Sequence, residues 1–281
     1  MIPYPEIDPV IFRLGPFAPR WYGLMYVLGL TAAYLLIRRQ IREQAGTAPG
    51  AEARIRAEGD LLDGLIAVLA LGVILGGRLG YVLFYNPGYY LAHPAEIPAI
   101  WHGGMSFHGG LLGTLALGWW YLRRHGADFW TWADRAAVTA PVGLFFGRLG
   151  NFINGELYGR PADVPWAMVF PGGGLVPRHP SQLYEAGLEG LLLFALLWPL
   201  RNRPWAAGRK TALFLAAYGA ARIAGECFRQ PDPQLGFLYG GWLTMGQVLS
   251  AAMAAAGIGL WAWRGRQAGG GPLSATRRST R

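Results

Sequence analysis

The stretch of this chain best suited to chemistry is GRLGNFINGELYG, residues 147–159. The polar side chains in it that could bind a ligand or take part in a reaction are Arg148, Asn151, Asn154 and Glu156. An apolar run, residues 136–146, leads directly into it. Arg148 and Asn151 are three residues apart, so on a helix they share a face. A charged side chain at the end of a membrane-grade apolar run is costly and usually faces a cavity or a partner. The stretch therefore indicates a polar site at the end of a buried helix.

The composition indicates a protein that crosses a membrane several times. Of the 281 residues, 53% are hydrophobic and only 15% are charged, which is too apolar for an ordinary soluble domain. The net charge of +9 lies in basic residues that separate apolar runs, so we expect membrane topology and no nucleic-acid partner. The single cysteine, Cys227, excludes an internal disulfide, and we interpret it as a packed apolar residue. The histidines lack metal-ligand spacing, so we expect neither a metal nor a cofactor.

The apolar runs predict an all-α fold with seven membrane-spanning helices, since one span needs about 20 largely apolar residues. The seven predicted spans are Trp21–Ile37, Leu61–Tyr85, Ser106–Leu122, Arg135–Ile153, Ser181–Leu200, Thr211–Phe228 and Gly241–Trp263. Most of the 25 basic residues follow the odd-numbered spans, so the positive-inside rule places the N-terminus outside and the C-terminus in the cytoplasm. We expect one transmembrane domain, residues 1–266, and a disordered cytoplasmic tail, residues 267–281.

Span six carries a polar stripe, because Tyr218, Arg222 and Glu226 are spaced i, i+4, i+8. Either Glu226 orients Arg222 towards a ligand, or the two groups only neutralise each other. In span five, Glu185 and Glu189 are best interpreted as counter-charges to the arginines. The arginines within spans have a net positive charge that indicates an anion, and guanidinium groups bind phosphate oxygens bidentately.

Two further polar residues have competing interpretations. Arg78, in LGGRLGY, repeats the Gly-Arg-Leu-Gly of span four and belongs either to the site or to helix packing. His108 lies among glycines in GGMSFHGG, where a ligand can approach closely. An imidazole accepts protons near neutral pH, so His108 is either a proton acceptor or a hydrogen-bonded structural residue.

Taken together, these segments resemble the motifs of prolipoprotein diacylglyceryl transferases. The segments that carry the resemblance are GRLGNFINGELYG, WYGLMY (Trp21–Tyr26), GGRLGYVLFYN (Gly76–Asn86), GGMSFHGG (Gly103–Gly110), RHPSQLYE (Arg178–Glu185) and FRQPD (Phe228–Asp232). The resemblance runs from near the N-terminus to about span seven, with no departure within these motifs. Only the tail is excluded.

The resemblance implies an enzyme of the bacterial inner membrane whose active site faces the periplasmic leaflet. It would transfer the diacylglyceryl group of phosphatidylglycerol to the lipobox cysteine in the signal peptide of a preprolipoprotein. The products would be a thioether and glycerol phosphate. The family's phosphatidylglycerol-binding arginine maps onto Arg148. Its other essential positions map onto Tyr22, His108, Asn151, Glu156, Gly159, Tyr218, Arg222, Glu226 and Arg229.

This chemistry assigns roles to the polar residues. Arg148 and Arg222 are predicted to bind the phosphate and stabilise it as it leaves. The thiol proton is predicted to pass to His108, Glu156 or a water. Asn154 joins the predicted substrate-binding residues. An anion transporter or channel is the alternative from another class, because intramembrane arginines are common to both. A second alternative is another phospholipid-modifying enzyme, such as a head-group transferase.

Overall fold

The computed structural model describes residues 2–231 and 236–269. Over these ranges the regular structure is helical, with only isolated β-bridges, so the all-α prediction is confirmed. Most of the predicted tail, residues 270–281, lies outside the described residues. The chain forms two compact units. We call Ile41–Phe129 the small unit, and Met1–Gln40 with Trp130–Arg281 the large unit.

The main helices are numbered in chain order. They are α1 (Trp21–Ala45), α2 (Ala51–Phe84), α3 (Pro87–Ala92), α4 (Phe107–Arg124), α5 (Phe129–Ile153), α6 (Ser181–Leu200), α7 (Arg209–Glu226) and α8 (Met245–Gly269). Helix α6 is composite, because a π-helical turn at Ala186–Leu192 interrupts it. Two single 3-10 turns, Pro94–Glu96 and Ile100–His102, follow α3.

Five helices in the described ranges are long and apolar enough to cross a membrane, namely α1, α2, α5, α6 and α8. They match five of the seven predicted spans. The other two predicted spans correspond to α4 and α7, which are helical but only 18 residues long. Helix α4 ends in Arg123 and Arg124, and α7 begins with Arg209 and Lys210, so both carry charge at one end. The count of seven spans and the orientation of the termini stay predictions.

The first two spans are longer than the sequence indicated. Helix α1 continues to Ala45 and α2 begins at Ala51, so most of the segment expected to be a basic loop is helical. The residues there are good helix formers, and i, i+4 ion pairs add support. Arg54 pairs with Glu58 at 2.8 Å and Arg56 with Glu52 at 3.4 Å. The hydropathy of the sequence indicates where the chain leaves the lipid. A helix ends only where the helical backbone conformation is no longer favourable, which can be several residues further on.

In the small unit, α2 and α4 pack along facing glycines. Gly72, Gly76 and Gly80 are four residues apart on α2, which places them on one stripe. They face Gly109 and Gly113 on α4. A Cβ atom on Gly80 would lie 2.8 Å from the Cα of Gly109, so the backbones approach as closely as glycine allows. This stripe fixes the start of α4, where His108 lies.

The large unit packs α5, α6 and α7 around a core of Val138, Leu193 and Leu197. Helices α7 and α8 also approach closely, since a Cβ atom on Gly219 would lie 2.6 Å from the carbonyl oxygen of Ser250. Asp134 in α5 caps the start of α7, accepting 2.8 Å and 2.7 Å hydrogen bonds from the amide and hydroxyl of Thr211. The cap fixes the position of α7 along α5.

The loop between α5 and α6 lies against the first residues of the chain. The Tyr4 hydroxyl donates to the carbonyl of Phe152 at 2.6 Å, and the amide of Ile2 donates to Ala167 at 3.1 Å. Isolated bridges pair Met168 with Arg178 within the loop. The loop is therefore held by backbone contacts close to the end of α5.

Candidate active site

Arg148, in the last turns of α5, forms ion pairs with two glutamates of α6. Its Nη1 lies 2.9 Å from Glu185 Oε2, and its Nη2 lies 3.1 Å from Glu189 Oε2. Both glutamate side chains are fully buried, whereas that of Arg148 keeps 15% of its surface exposed. The guanidinium group therefore faces two carboxylates on one side and has an open side as well.

Arg222 of α7 pairs with the same two glutamates from another direction. Its Nη1 lies 3.1 Å from Glu185 Oε1 and 3.2 Å from Glu189 Oε1. Its Nη2 donates to Glu226 Oε1 at 2.6 Å. Each buried carboxylate of α6 thus bridges Arg148 and Arg222. The interpretation of Glu185 and Glu189 as counter-charges is consistent with this geometry, as is the orientation of Arg222 by Glu226.

The ion pairs of Glu185 differ from those of Glu189. Arg148 donates aligned hydrogen bonds to Glu189, from Nε at 3.3 Å and from Nη2 at 3.1 Å. The Glu185 oxygens lie at ion-pair distance from both arginines, but no aligned hydrogen bond reaches them in the described part of the chain. The attraction at Glu185 is therefore mainly between charges, without the directed hydrogen bonds that Glu189 accepts.

Local structure brings these groups together. Arg222 and Glu226 are four residues apart on α7, with Tyr218 a further turn away, as the polar stripe predicts. Tyr218 stacks on Phe214, with ring centroids 5.6 Å apart, and packs against the apolar core. Glu185 is the last residue of the α-helical start of α6. The π-helical turn follows directly, at Ala186–Leu192, and contains Glu189. Such turns are rare and are frequent at functional sites.

A tight turn after α5 presents Glu156. Its Oε1 accepts from the amide of Asn151 at 2.9 Å and from that of Asn154 at 3.3 Å. Gln182 of α6 donates to the main-chain carbonyl of Glu156 at 2.7 Å. The next residue, Leu157, has a φ of 57°, a left-handed conformation that costs energy for a branched side chain. The turn is therefore held in a strained shape by three amide side chains.

Gly159 lies where two backbone segments meet. Its amide donates to the carbonyl of His179 at 2.9 Å, and a Cβ atom would lie 2.6 Å from the carbonyl oxygens of both His179 and Phe228. Arg160 donates to the carbonyls of Arg229 at 2.9 Å and Glu226 at 3.1 Å. Arg229 in turn lies 3.8 Å from the Glu226 carboxylate. Gly159 is needed because no other residue fits this approach.

His179 and Tyr22 lie beside these groups. Burial lowers the pKa of His179, whose Nδ1 is 3.1 Å from the Tyr184 hydroxyl. The hydroxyl groups of Tyr22 and Tyr26 are 3.1 Å apart. Tyr22 packs on Gly150, since a Cβ atom there would lie 2.8 Å from its ring. Tyr22 is thereby placed against the last turns of α5, beside Gly150.

Arg78 and His108 belong to the small unit. The guanidinium of Arg78 donates to four backbone carbonyls: Glu96 and Ile97 at 2.7 Å, Gly103 at 2.6 Å and Gly104 at 3.1 Å. It also lies over the Tyr90 ring at 5.1 Å. These contacts support a structural role for Arg78, which holds the backbone of residues 96–104. His108 is exposed in the first turn of α4, which Ser106 caps.

The geometry corrects two expectations. The arginine cluster of the large unit has no surplus of positive charge, because Arg148, Arg222 and Arg229 are matched by Glu185, Glu189 and Glu226. Carboxylates buried this completely must be paired. Cys227 is exposed, not packed, since it lies at the end of α7 where the helix no longer covers it.

Two contributors to the site were missed by sequence reasoning, Thr244 and Gly246 at the start of α8. The Thr244 hydroxyl donates to Glu226 Oε2 at 2.8 Å, and Gly246 packs against the same carboxylate. A signal was present, because Thr244 and Gln247 have the spacing of a helix capping box. That signal predicts where a helix starts but says nothing of its neighbours.

Fold and site define the class of protein: an all-helical integral membrane protein with a buried arginine–glutamate cluster beside an open surface. Comparison with known proteins agrees. The family described as prolipoprotein diacylglyceryl transferase matches residues 9–263. The chain therefore belongs to this family.

Its relatives match over nearly their whole length. A phosphatidylglycerol–prolipoprotein diacylglyceryl transferase of Desulfotalea psychrophila is 53% identical, covering 92% of this chain and 94% of the relative. The Bordetella parapertussis enzyme of that name is 54% identical, with 95% and 98% covered. The Pseudomonas aeruginosa enzyme is 49% identical, with 98% and 100% covered.

Proposed function

We propose that this chain transfers the diacylglyceryl group of phosphatidylglycerol to the cysteine thiol of a prolipoprotein. Family membership supports the reaction, since the relatives carry this name. The observation that carries the assignment of residues is the bridge of Glu185 and Glu189 between Arg148 and Arg222. It presents two guanidinium groups, each with an exposed part, at one place in the large unit.

The reaction breaks the bond between a glycerol carbon and a phosphate oxygen, and forms a bond from that carbon to sulfur. The phosphate leaves as glycerol phosphate with the electron pair. Arg148 and Arg222 stabilise this charge, which is where electrostatic catalysis contributes most. On binding, the phosphate meets the exposed part of each guanidinium group, while Glu185 and Glu189 stay paired with both arginines.

The remaining residues around the cluster bind and orient the lipid head group. Asn151 and Asn154 hold Glu156, and Gly159 shapes the backbone beside them. Tyr22, Tyr218, Glu226 and Arg229 complete the substrate-binding set. The candidate acceptors of the thiol proton stay those predicted from the sequence, His108, Glu156 or a water. The variants E156Q and H108Q distinguish these routes.

The acceptor is the lipobox cysteine of a preprolipoprotein signal peptide, which reaches the site from the bilayer. We infer seven spans in the bacterial inner membrane, with α4 and α7 as the two short ones. The N-terminus is then periplasmic and the C-terminus cytoplasmic, with the site towards the periplasmic leaflet. Both helices have 18 residues, which lies within the range of roughly 17–25 residues that a span needs.

The test follows labelled acyl chains of phosphatidylglycerol onto a lipobox peptide, using purified protein in lipid nanodiscs. We expect transfer to the cysteine peptide and none to the same peptide with serine. The R148A variant should lose about 100-fold or more of the rate. R13A is a matched control, because the ion pair of Arg13 with Asp8 in the described part of the chain lies at the surface.

Transfer that survives R148A at the rate of R13A would contradict the assignment of Arg148. Folded protein that binds the lipid but transfers nothing would favour the transporter alternative. In that case liposomes containing the protein should pass organic phosphates.

A further inference from the structure

The start of α8 contacts the carboxylate that holds Arg222. Thr244 donates a 2.8 Å hydrogen bond to Glu226 Oε2, while Glu226 Oε1 accepts from Arg222 at 2.6 Å. The two oxygens of one buried carboxylate are therefore divided between a hydroxyl and a guanidinium. Thr244 is buried as well, at 3% exposure, so solvent cannot easily replace its hydroxyl.

Thr244 is itself fixed by the first turn of α8. The amide of Gln247 donates to Thr244 Oγ1 at 3.1 Å, and the amide of Thr244 donates to Gln247 Oε1 at 2.9 Å. This reciprocal pair is a capping box. Because the hydroxyl oxygen accepts from Gln247, its one proton is directed to Glu226. The direction of that proton is set by the backbone of α8.

Gly246 has no side chain and therefore leaves room for the Glu226 carboxylate. A Cβ atom there would lie 2.6 Å from Glu226 Cδ and 2.7 Å and 2.8 Å from its two oxygens. Any larger residue would push the end of the Glu226 side chain away. The carboxylate is thus confined by Thr244 on one side and by the backbone of α8 on another.

We propose that Thr244 and Gly246 are positioning residues, which fix Glu226 and through it the Arg222 guanidinium for binding the donor lipid's phosphate. The inference rests on the proposed function. Glu185 and Glu189 both act on Nη1 of Arg222, whereas Glu226 alone among the described contacts holds Nη2. Loss of the hydroxyl frees Glu226 to rotate, and the guanidinium group loses its fixed orientation.

The main test compares T244V with T244S in the transfer assay. Valine has nearly the shape of threonine without the hydroxyl, and serine restores the hydroxyl. We expect T244V to raise the KM for phosphatidylglycerol about tenfold, as for the loss of one hydrogen bond to a charged group. T244S should stay within about twofold of the unchanged protein, since it keeps the bond to Glu226.

Two controls separate positioning from general weakening of α8. Q247A weakens the cap but leaves the hydroxyl bond to Glu226, so it should lower the unfolding temperature without raising the KM. G246A should raise the KM as T244V does, because its methyl group displaces Glu226. G259A makes the same change in the same helix, where a Cβ atom meets no neighbour, and should leave the KM unchanged.

The proposal is overturned if T244V and T244S have the same KM, or if Q247A raises the KM as much as T244V. The proposal also requires that the double variant T244V/E226Q have the same KM for phosphatidylglycerol as E226Q alone, since both substitutions remove the same contact. Affinity for phosphatidylglycerol, measured without peptide in the same variants, tests the positioning independently of turnover. Protein that shows this pattern of affinities but no transfer would contradict only the proposed reaction.

Discussion

The chain contains the tetrapeptide Gly-Arg-Leu-Gly twice, once in each unit, and the two arginines have different surroundings. Arg78 donates to four backbone carbonyls and is 5% exposed. Arg148 pairs with two carboxylates and keeps 15% of its side chain exposed. The same four residues therefore give one arginine held by the backbone and one held by side chains, with part of its surface exposed.

The two arginines differ in the kind of group that accepts their hydrogen bonds: backbone carbonyls around Arg78, and glutamate side chains around Arg148. Carbonyls belong to the backbone and cannot turn away without unfolding the segment at residues 96–104. Carboxylates on α6 are side chains, and they leave part of the Arg148 guanidinium exposed, where an anion can bind as well. An arginine held by the backbone supports the fold, whereas an arginine held by side chains with an open edge suits an anionic substrate.

The largest expected difference between the two regions is in the rate of transfer. R148K keeps the charge but loses the planar fork that bonds two oxygens at once. We expect it to lower the rate by about 100-fold, the usual effect of removing one donor from a charge-stabilising site. The measurement is transfer of labelled lipid to a cysteine peptide by folded protein.

R78K is the matched variant in the other tetrapeptide. It should leave the rate per folded molecule within about threefold, but lower the free energy of unfolding by about 2 kcal/mol, because carbonyls lose their donors. Thermal unfolding in detergent measures the stability. The comparison fails if R78K and R148K lower the rate per folded molecule equally.

Much of this architecture follows from sequence patterns, for physical reasons. The predicted span five has the same bounds as α6, Ser181–Leu200, because one apolar run of spanning length forms the whole helix. The stripe of Tyr218, Arg222 and Glu226 was predicted because helical spacing alone determines which residues share a face. Helices α1 and α2 extend beyond the predicted spans because their polar ends also form helix outside the apolar run.

Contacts between elements could not be predicted in the same way. The sequence left Arg78 between site and scaffold, since its four partners are carbonyls, which every residue carries. The hydrogen bond from Thr244 to Glu226 could not be predicted, because it depends on α8 starting beside the end of α7. Pairing of Glu185 and Glu189 with Arg148 and Arg222 was expected only from charge. That each of these carboxylates contacts both arginines depends on how α5, α6 and α7 pack together.

The glycines of the two tetrapeptides give a smaller, more local test. In the small unit, G80A brings a methyl group against the backbone of Gly109, so the helices must separate. We expect a loss of about 1–3 kcal/mol in stability. In the large unit, G150A meets the ring of Tyr22, which can tilt, so the rate should fall with little loss of stability.

G147A is the control, because a Cβ atom at Gly147 meets no neighbour within 4 Å. Its rate should match that of the unchanged protein, and its unfolding temperature should be equal or higher, because alanine favours the helix more than glycine does. Equal destabilisation by G80A and G150A would show that the two tetrapeptides are packed alike and would remove the basis of the comparison.

The smallest expected effect is a dependence on pH that is confined to one region. The carbonyls around Arg78 do not titrate, whereas the loop beside Glu156 is held partly by His179, whose pKa is lowered by burial. A lowered pKa means that the folded state favours the neutral ring. The stability it contributes is complete above the unfolded value of about 6.5 and is lost as pH falls through the lower folded value.

The amide of Gly159 reports on this loop, because it donates to the carbonyl of His179 at 2.9 Å. Between pH 7.5 and 5, its hydrogen exchange, corrected for the intrinsic rate, should become a few-fold faster, while that of residues 103–106 beside Arg78 stays constant. H179Q cannot titrate and should abolish the change. An equal response in both segments would mean that acid loosens the whole protein, and His179 would then have no special part in it.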